Sequence, residues 1–325
     1  MKILLDGYAD NNFGDDLMLT LAAKGLAEHE LHTPYEEVNI ENVQYTTARN
    51  GFDVYLKVTG SGFLIHNIKG IFYRMRDIQR ENGYAKKKAV INCNISPFVN
   101  KTAEIVIQSQ LKGYNYITVR DEHSHRYISK NAPKVKCEKY PDMVFAMPDE
   151  MIPDVPCENA LGIAIRNGTD CGELAKIADG YVKNTGNKVK IFCFDSGKEN
   201  DALSAERMYR SVKYGDKVET VVYKNIPDML TEMKKCSIIL GVRFHSNVLA
   251  ARMGIPFVPM AYSDKTVNAL DEIGYIDEIY NYKSFNADVV IDRILNAKPF
   301  KLDDEIIISA QQHILRFKEY IKKQG

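Results

Sequence analysis

Short apolar runs recur along the chain, and stretches with helical periodicity separate them. These runs are apolar almost throughout, which is typical of β-strands that are covered on both faces. Strands that alternate with helices indicate βαβ units and a mainly parallel sheet. The sequence therefore predicts an α/β protein whose strands are Lys2–Asp6, Val54–Thr59, Ala89–Ile95, Tyr116–Val119, Leu161–Ile165, Val189–Phe194, Val218–Tyr223, Ser237–Val242 and Pro256–Met260.

One segment near the middle interrupts this alternation. Residues 147–156 contain three prolines and a group of acidic residues, a composition that disfavours helix and strand alike. We predict two Rossmann-like doubly wound domains, residues 1–150 and 151–325, joined near residues 148–158. The amphipathic pattern of residues 303–323 predicts a terminal helix that packs back towards the first domain.

Composition narrows the possible functions. The 325 residues include 43 Lys and Arg and 43 Asp and Glu, so the net charge of zero argues against nucleic-acid binding. The six cysteines form no C-x-x-C pair, so we expect a reducing compartment and no metal site. The apolar stretch at the N-terminus is too short for a signal peptide, and no apolar run of the sequence is long enough to span a membrane. We expect a cytoplasmic protein, free or peripheral to the inner face of the membrane, and the sequence fixes no oligomeric state.

Ligands of parallel sheets bind beyond the carboxyl ends of the strands, so the loops there are the candidate sites. In the first domain, the loop after the first strand contains Asn12, Gly14 and Asp15, which we predict to line a cleft. Asp15 could equally be a simple helix cap. Ser61 and Gly62 follow the next predicted strand, in a turn whose backbone amides could approach an anion.

Cationic residues follow three further strands. Arg120 comes after Tyr116–Val119 and could hold an anion, or pair internally with a carboxylate such as Asp121. In the second domain, Arg166 and Lys265 each follow an apolar strand. Together with Arg243 they would face one cleft, which suggests a small, doubly charged anionic ligand.

The loop after Ser237–Val242 is the strongest candidate for an active site. Arg243 offers a planar fork for a carboxylate or phosphate, and His245 can donate a proton near neutral pH. Ser246 or Asn247 could cap the following helix, whose N-terminal amides would then face the cleft. A histidine satisfied within the core is the alternative interpretation.

These segments resemble the polysaccharide pyruvyl transferase family, and the resemblance extends from residue 7 to residue 265. Its most specific part is the block that begins with Gly241-Val242-Arg243-Phe244-His245-Ser246. The segments that carry the resemblance are Asn12-Phe13-Gly14-Asp15, Gly60-Ser61-Gly62, Thr118-Val119-Arg120-Asp121, Gly241–Ser246, Ala250-Ala251, Gly254-Ile255-Pro256 and Tyr262-Ser263-Asp264-Lys265. Two positions depart from the family pattern: Ser61 replaces a glycine, and Ser96-Pro97 replaces Gly-Pro.

The resemblance implies a glycosyltransferase-B-like fold and transfer of the enolpyruvyl group of phosphoenolpyruvate onto a sugar, which forms a cyclic ketal. It further implies that Arg243 and His245 act at the donor site in the second domain, with the acceptor, a free or lipid-linked sugar, on the side of the first. Phosphoenolpyruvate is then a donor substrate, and neither a redox cofactor nor a metal is expected.

Two other functions stay open at this point. A sugar-nucleotide glycosyltransferase or epimerase of the same fold would need an acidic residue for the donor ribose late in the second domain, where Asp264 is the nearby acid. An inactive relative that only binds a sugar or an anion is the other alternative. Titration with phosphoenolpyruvate and with sugar nucleotides distinguishes these functions.

Overall fold

A computed structural model describes residues 1–8, 10–65, 67–95 and 98–323 of the chain. The chain divides into two compact units. The first contains Met1–Ala9, Asp15–Ala146 and Ile307–Gly325, and the second contains Asp10–Gly14 and Met147–Ile306. The division falls after Ala146, a few residues before the predicted limit at residue 150, and lies between two short 3₁₀ turns, Met143–Ala146 and Asp149–Met151.

The first unit is built on a parallel sheet with the strand order β3-β2-β1-β4-β5-β6-β7. Every residue of β4 is buried, as expected for a strand covered on both faces. The strands are β1 (Lys2–Asp6), β2 (Glu30–Thr33), β3 (Val43–Tyr45), β4 (Val54–Val58), β5 (Lys87–Cys93), β6 (Tyr116–Val119) and β7 (Lys136–Lys139).

The helices between these strands are α1 (Phe13–Gly25), α2 (Ile68–Tyr84), α3 (Lys101–Lys112) and α4 (Glu122–Asn131). A further helix, named α11 here by its place in the chain (Asp304–Lys322), joins the first unit from residue 307 onward. Its buried Phe317 packs against Tyr116 of β6 with ring centroids 6.4 Å apart. Its buried His313 contacts the hydroxyl of Thr118 and the carbonyl of Pro141. Apolar contacts and a satisfied buried histidine therefore hold this helix on the first sheet.

The second unit contains a parallel sheet with the order β10-β9-β8-β11-β12-β13. Its strands are β8 (Ala160–Ile165), β9 (Val189–Cys193), β10 (Val218–Val222), β11 (Cys236–Gly241), β12 (Phe257–Ala261) and β13 (Tyr280–Asn281). Its helices are α5 (Cys171–Thr185), α6 (Asp201–Tyr209), α7 (Ile226–Lys234), α8 (Phe244–Arg252), α9 (Asp264–Glu272) and α10 (Ala287–Leu295). The strand order is that of a Rossmann-like doubly wound domain.

Four strands were missed by the apolar pattern. β3, β7 and β13 lie at sheet edges and are partly exposed, so they need no continuous apolar run. β2 is interior but carries the buried polar residues His32 and Thr33, which hide the pattern.

Candidate active site

The strand order of the second sheet reverses between β8 and β11, which are neighbours. Doubly wound sheets bind ligands beyond the carboxyl ends of the strands at this kind of reversal. Arg166 follows β8 directly, and Arg243 follows β11 after one residue, Val242. The fold thus brings these two predicted site residues to the same edge of the sheet.

Arg243 is buried and its guanidinium is fully engaged by acidic side chains. Its Nε donates to Oδ2 of Asp201 at 2.9 Å, and its Nη2 donates to the other carboxylate oxygen. Its Nη1 donates to Glu199 at 2.6 Å. The guanidinium group that was predicted to bind a donor is therefore hydrogen-bonded to Asp201. Only its third contact, with Glu199, goes to a residue that is partly exposed to solvent.

Asp201 fixes the position of this arginine. It is the first residue of α6, is completely buried, and accepts the backbone amides of Phe194 and Asp195 at 3.1 and 3.0 Å. Burial raises the pKa of its carboxyl group even though Arg243 opposes the shift. Because this carboxylate is held by backbone and arginine together, it orients the guanidinium rigidly.

Glu199 bridges the two arginines. Its Oε1 accepts from Nη2 of Arg166 at 3.1 Å, while its Oε2 accepts from Nη1 of Arg243. Burial alone would raise the pKa of Glu199, but the guanidinium groups of Arg243 and Arg166 lower it overall. The Glu199 side chain is 40% exposed, whereas Asp201 is not exposed at all. Of these two carboxylates, that of Glu199 is thus accessible from solvent, and it is held by Arg166 and Arg243.

The ring of Tyr262 lies beside two cations, Arg166 and Lys265. The ring centroid of Tyr262 lies 4.3 Å from Cζ of Arg166 and 4.8 Å from Nζ of Lys265. Within the residues that the structure describes, Lys265 forms no ion pair, and Nε of Arg166 is buried without a hydrogen-bond partner. These two side chains therefore retain hydrogen-bonding capacity that an anion can use.

Two helices begin at this edge. α8 starts after Arg243 and α9 starts after Ser263, and neither first turn is capped by the side chain of its N-cap residue. Backbone amides at a helix N-terminus favour anions. The helix starts therefore add to the positive character that the three cations create.

His245 lies in the first turn of α8, half-buried, and packs against the loop that contains Gly14. A Cβ built on Gly14 would collide with Nδ1 of the imidazole ring. Gly14 belongs by its contacts to the second unit, together with residues 10–13. The prediction that Gly14 and Asn12 are first-domain residues is therefore wrong, and their loop instead lies beside the histidine.

Asn12 directly precedes helix α1, which begins at Phe13. Its side-chain oxygen accepts the amide of Gly14 at 3.1 Å, and its amide donates to Asp195 at 3.1 Å. Asp15 lies within the first turn rather than before it, so the alternative that Asp15 is the cap is wrong. Asn12 thus fixes Gly14 against His245 and also links the loop to the end of β9.

The prediction that Ser246 or Asn247 caps the helix after β11 is wrong, because α8 begins at Phe244. Both residues are buried inside its first turn. The Ser246 hydroxyl donates to the carbonyl of Arg243, and the Asn247 amide donates to the carbonyls of Gly241 and Arg243. Their observed bonds hold the loop that carries Arg243.

In the first unit, Arg120 is buried and pairs internally. Its Nη1 donates to Asp142 and its Nη2 donates to Asn94 at 2.8 Å. A Cβ on Gly60 would lie 2.8 Å from Nη2, so the guanidinium packs directly on the glycine turn. These contacts favour the structural alternative for Arg120, although the partner is Asp142 and not Asp121, which instead caps α4.

The other predicted residues of the first unit are more accessible. Ser61 is exposed, and Gly62 has no space for a side chain because a Cβ there would collide with Thr59. Asp15 is half-buried in the first turn of α1. The departure at Ser96-Pro97 lies outside the described residues. Ligand binding by Asp15, Ser61 and Gly62 stays a prediction.

Glu199 and Asp201 were not predicted from the sequence. The signal was available, because the predicted strand Val189–Phe194 is followed by acidic residues at the same sheet edge as Arg243. Buried arginines usually have carboxylate partners, so the loop after β9 was the place to look for them.

The described residues contain no group of three or more His, Cys, Asp or Glu side chains arranged to hold a metal ion. In residues 1–8, 10–65, 67–95 and 98–323, no helix combines the length and apolarity needed to cross a membrane.

Comparison with solved structures identifies the fold as glycosyltransferase-B-like. The UDP-GlcNAc 2-epimerase from Methanocaldococcus jannaschii aligns with a TM-score of 0.60 at 11% identity, covering 98% of this chain and 100% of the other. The enzyme of that name from Neisseria meningitidis, bound to UDP-GlcNAc, gives 0.63 at 11% identity over 99% and 100%. The UDP-N-acetylglucosamine 2-epimerase from Rickettsia bellii gives 0.62 at 10% identity over 99% and 96%. At these identities the similarity shows the fold alone.

The family is shown by a separate comparison. Residues 12–264 match the family model described as polysaccharide pyruvyl transferase. The chain belongs to this family, and it is a transferase. A search of curated proteins finds no match.

Proposed function

We propose that the protein transfers the enolpyruvyl group of phosphoenolpyruvate to a sugar of a polysaccharide or its precursor and forms a pyruvate ketal. The observation that carries this proposal is the cluster of Arg166, Arg243 and Lys265 around Glu199 and Tyr262. A ligand with both a carboxylate and a phosphate suits a site with several cations and two helix starts. The acceptor is a sugar, free or attached to a lipid.

The Glu199 contacts support a specific mode of donor binding. A carboxylate held by two guanidinium groups is the arrangement that a substrate carboxylate would also adopt. Because Glu199 is partly exposed and lies on the loop after β9, its side chain can leave. In the proposed complex, the donor carboxylate replaces Glu199 between Arg166 and Arg243, and Lys265 binds the phosphate.

His245 is the proposed general acid. Its proton goes to the methylene carbon of the donor, a sugar hydroxyl forms a bond to the adjacent carbon, and the proton of that hydroxyl returns to His245. A second hydroxyl of the sugar then attacks the same carbon, and phosphate leaves with the bonding electrons of the carbon–oxygen bond and takes up the proton of the second hydroxyl. The net reaction converts donor and diol into ketal and phosphate, and it requires neither a metal nor a redox cofactor.

Sugar-nucleotide chemistry is the second candidate, because two solved structures with this fold are bound to UDP-GlcNAc. The two candidates make different demands on the cation cluster. A nucleotide donor has no carboxylate to exchange with Glu199, and it needs a site for a base and a ribose in addition.

Calorimetric titration of the wild-type protein with phosphoenolpyruvate and with UDP-GlcNAc tests the proposal. We expect phosphoenolpyruvate to bind and UDP-GlcNAc not to bind. The Lys265→Met variant should weaken phosphoenolpyruvate binding by about tenfold or more, because one charge-assisted contact contributes roughly 1.5–3 kcal/mol.

Lys283→Met is the matched control, since Lys283 also lies over a tyrosine ring of the second unit, 5.4 Å from the centroid of Tyr282. It should leave the affinity unchanged. Binding of UDP-GlcNAc without phosphoenolpyruvate would contradict the proposal and favour the second candidate.

A further inference from the structure

Helix α2 of the first unit exposes large apolar side chains. Ile68, Phe72 and Met75 are 68%, 66% and 50% exposed, and Tyr73 beside them is 64% exposed. Residues spaced by four and three positions lie on one face of a helix. Ile68, Phe72 and Met75 therefore form a continuous apolar stripe, and this stripe faces solvent.

The opposite face of α2 is firmly fixed, so the stripe cannot rotate inward. Ile71, Glu81 and Tyr84 are the buried residues of this helix. Glu81 accepts hydrogen bonds from Lys57 at 2.9 Å and from Gln110 at 3.0 Å. The orientation of the helix is thus set by this buried polar network together with Ile71 and Tyr84, which belong to the hydrophobic core of the first unit.

Basic residues flank the exposed stripe. Lys69 and Arg76 are exposed, and neither forms an ion pair with any residue that the structure describes. Arg80 is also exposed and pairs with Asp77 of the same helix at 3.3 Å. The chain as a whole has no net charge, so this positive face is a local feature.

We propose that this face of α2, defined by Ile68, Lys69, Phe72, Met75 and Arg76, docks on the surface of a lipid bilayer with anionic headgroups. Exposed apolar side chains beside basic ones are the pattern of helices that lie in the membrane interface. The cations match the negative headgroups, and the apolar side chains can enter the boundary between headgroups and acyl chains. A second protein or a second copy of the chain would not explain unpaired cations beside the stripe as directly.

Sedimentation with vesicles tests this surface in the full-length protein. Wild-type protein should bind vesicles of phosphatidylcholine with about one quarter phosphatidylglycerol at about 150 mM salt, and bind pure phosphatidylcholine far less. Lys69→Glu with Arg76→Glu should weaken binding by at least about 25-fold, because each cation near an anionic surface contributes roughly fivefold. Phe72→Ser with Met75→Ser should weaken it by at least about tenfold, because two large apolar side chains would no longer leave water on binding.

Matched controls separate this face from general effects. Lys130→Glu with Lys134→Glu makes the same charge change at exposed positions elsewhere in the first unit, and Val289→Ser removes an apolar side chain that is 51% exposed on α10. Both should retain binding. Equal loss in the charge control, or no binding by the wild type, would overturn the proposal. So would self-association of the free protein that Phe72→Ser with Met75→Ser abolishes, because the face would then bind a second copy.

Discussion

Arg120 in the first unit and Arg243 in the second have similar settings, but they differ in the solvent exposure of a side chain that they bind. Each is buried, follows a parallel strand and pairs with a fully buried aspartate, Asp142 or Asp201. Arg120 also donates to the buried Asn94, whereas Arg243 also donates to Glu199, which is 40% exposed and shared with Arg166. Both arginines satisfy the rule that buried charges are paired, so pairing alone does not identify a site.

The difference indicates how to distinguish a structural arginine from one in a binding site. Replacing a buried partner requires part of the unit to open, but an exposed carboxylate can be exchanged for one supplied by a ligand. Arg243 therefore combines a fixed position, set by Asp201, with a contact to a partly exposed carboxylate, which we propose a ligand replaces. Arg120 is held by the buried Asp142 and packs on the turn at Gly60.

We expect the largest effect, a loss of catalytic rate, from replacing His245. This histidine is half-buried at the candidate site, whereas His313 of the first unit is completely buried on α11. His245→Ala should reduce single-turnover rate by roughly 10²–10⁴-fold, the usual contribution of a positioned general acid, with little change in phosphoenolpyruvate affinity. His123→Ala, at an exposed position on α4, is the control. A wild-type rate for His245→Ala would assign the proton to another group.

Lysine substitutions sharpen the comparison of the two arginines. Arg243→Ala would leave Asp201 buried without its partner, at a cost of about 3–5 kcal/mol, so it would report on stability more than on binding. Arg243→Lys keeps the charge but loses the fork, and should weaken phosphoenolpyruvate binding by about tenfold or more.

Arg120→Lys should lower the melting temperature and leave the affinity within about twofold. Calorimetry measures the phosphoenolpyruvate affinity of Arg243→Lys and Arg120→Lys, and thermal unfolding measures their melting temperatures. Equal loss of affinity in the two variants would remove the distinction between them.

A smaller effect is expected from His313. Burial lowers the pKa of this histidine to about 4, below the ordinary value of 6.5. The unfolded chain therefore binds the proton more readily, so the stability that neutral His313 gives is complete above pH 6.5 and falls as the pH drops towards 4, by up to about 1.4 kcal/mol per unit. His313→Gln should flatten the dependence of the melting temperature on pH between these values. An unchanged slope would show that other groups cause it.

Much of the fold could be predicted from the sequence, because interior strands of parallel sheets are buried on both faces and leave apolar runs. β8 and β9 are examples in which every residue is buried. Edge strands such as β3 could not be predicted in this way, since one side of each remains open and their residues are free to be polar. The assignment of residues 10–14 to the second unit depends on contacts with Phe194 and Asp195, which are distant in sequence.

The sequence pointed to the cations of the candidate site but not to its acidic residues. Arg166 and Arg243 follow apolar strands, so the parallel sheet brings them to one edge. Glu199 and Asp201 lie beyond the end of β9 in a loop whose conformation no periodicity predicts. The sequence therefore indicated an open anion site, whereas the structure shows arginines that already hold carboxylates.

The most direct test of the central claim is the phosphoenolpyruvate affinity of the Glu199→Gln variant, measured by calorimetry beside the wild type. If the donor carboxylate replaces Glu199, the neutral amide should compete less well, and the donor should bind about three- to tenfold more tightly. Glu219→Gln is the control, because Glu219 is a similarly exposed acid, 47%, that pairs with the buried Lys190 at 3.3 Å. Unchanged or weaker binding by Glu199→Gln, with the control unchanged, would contradict the exchange of carboxylates at Arg243.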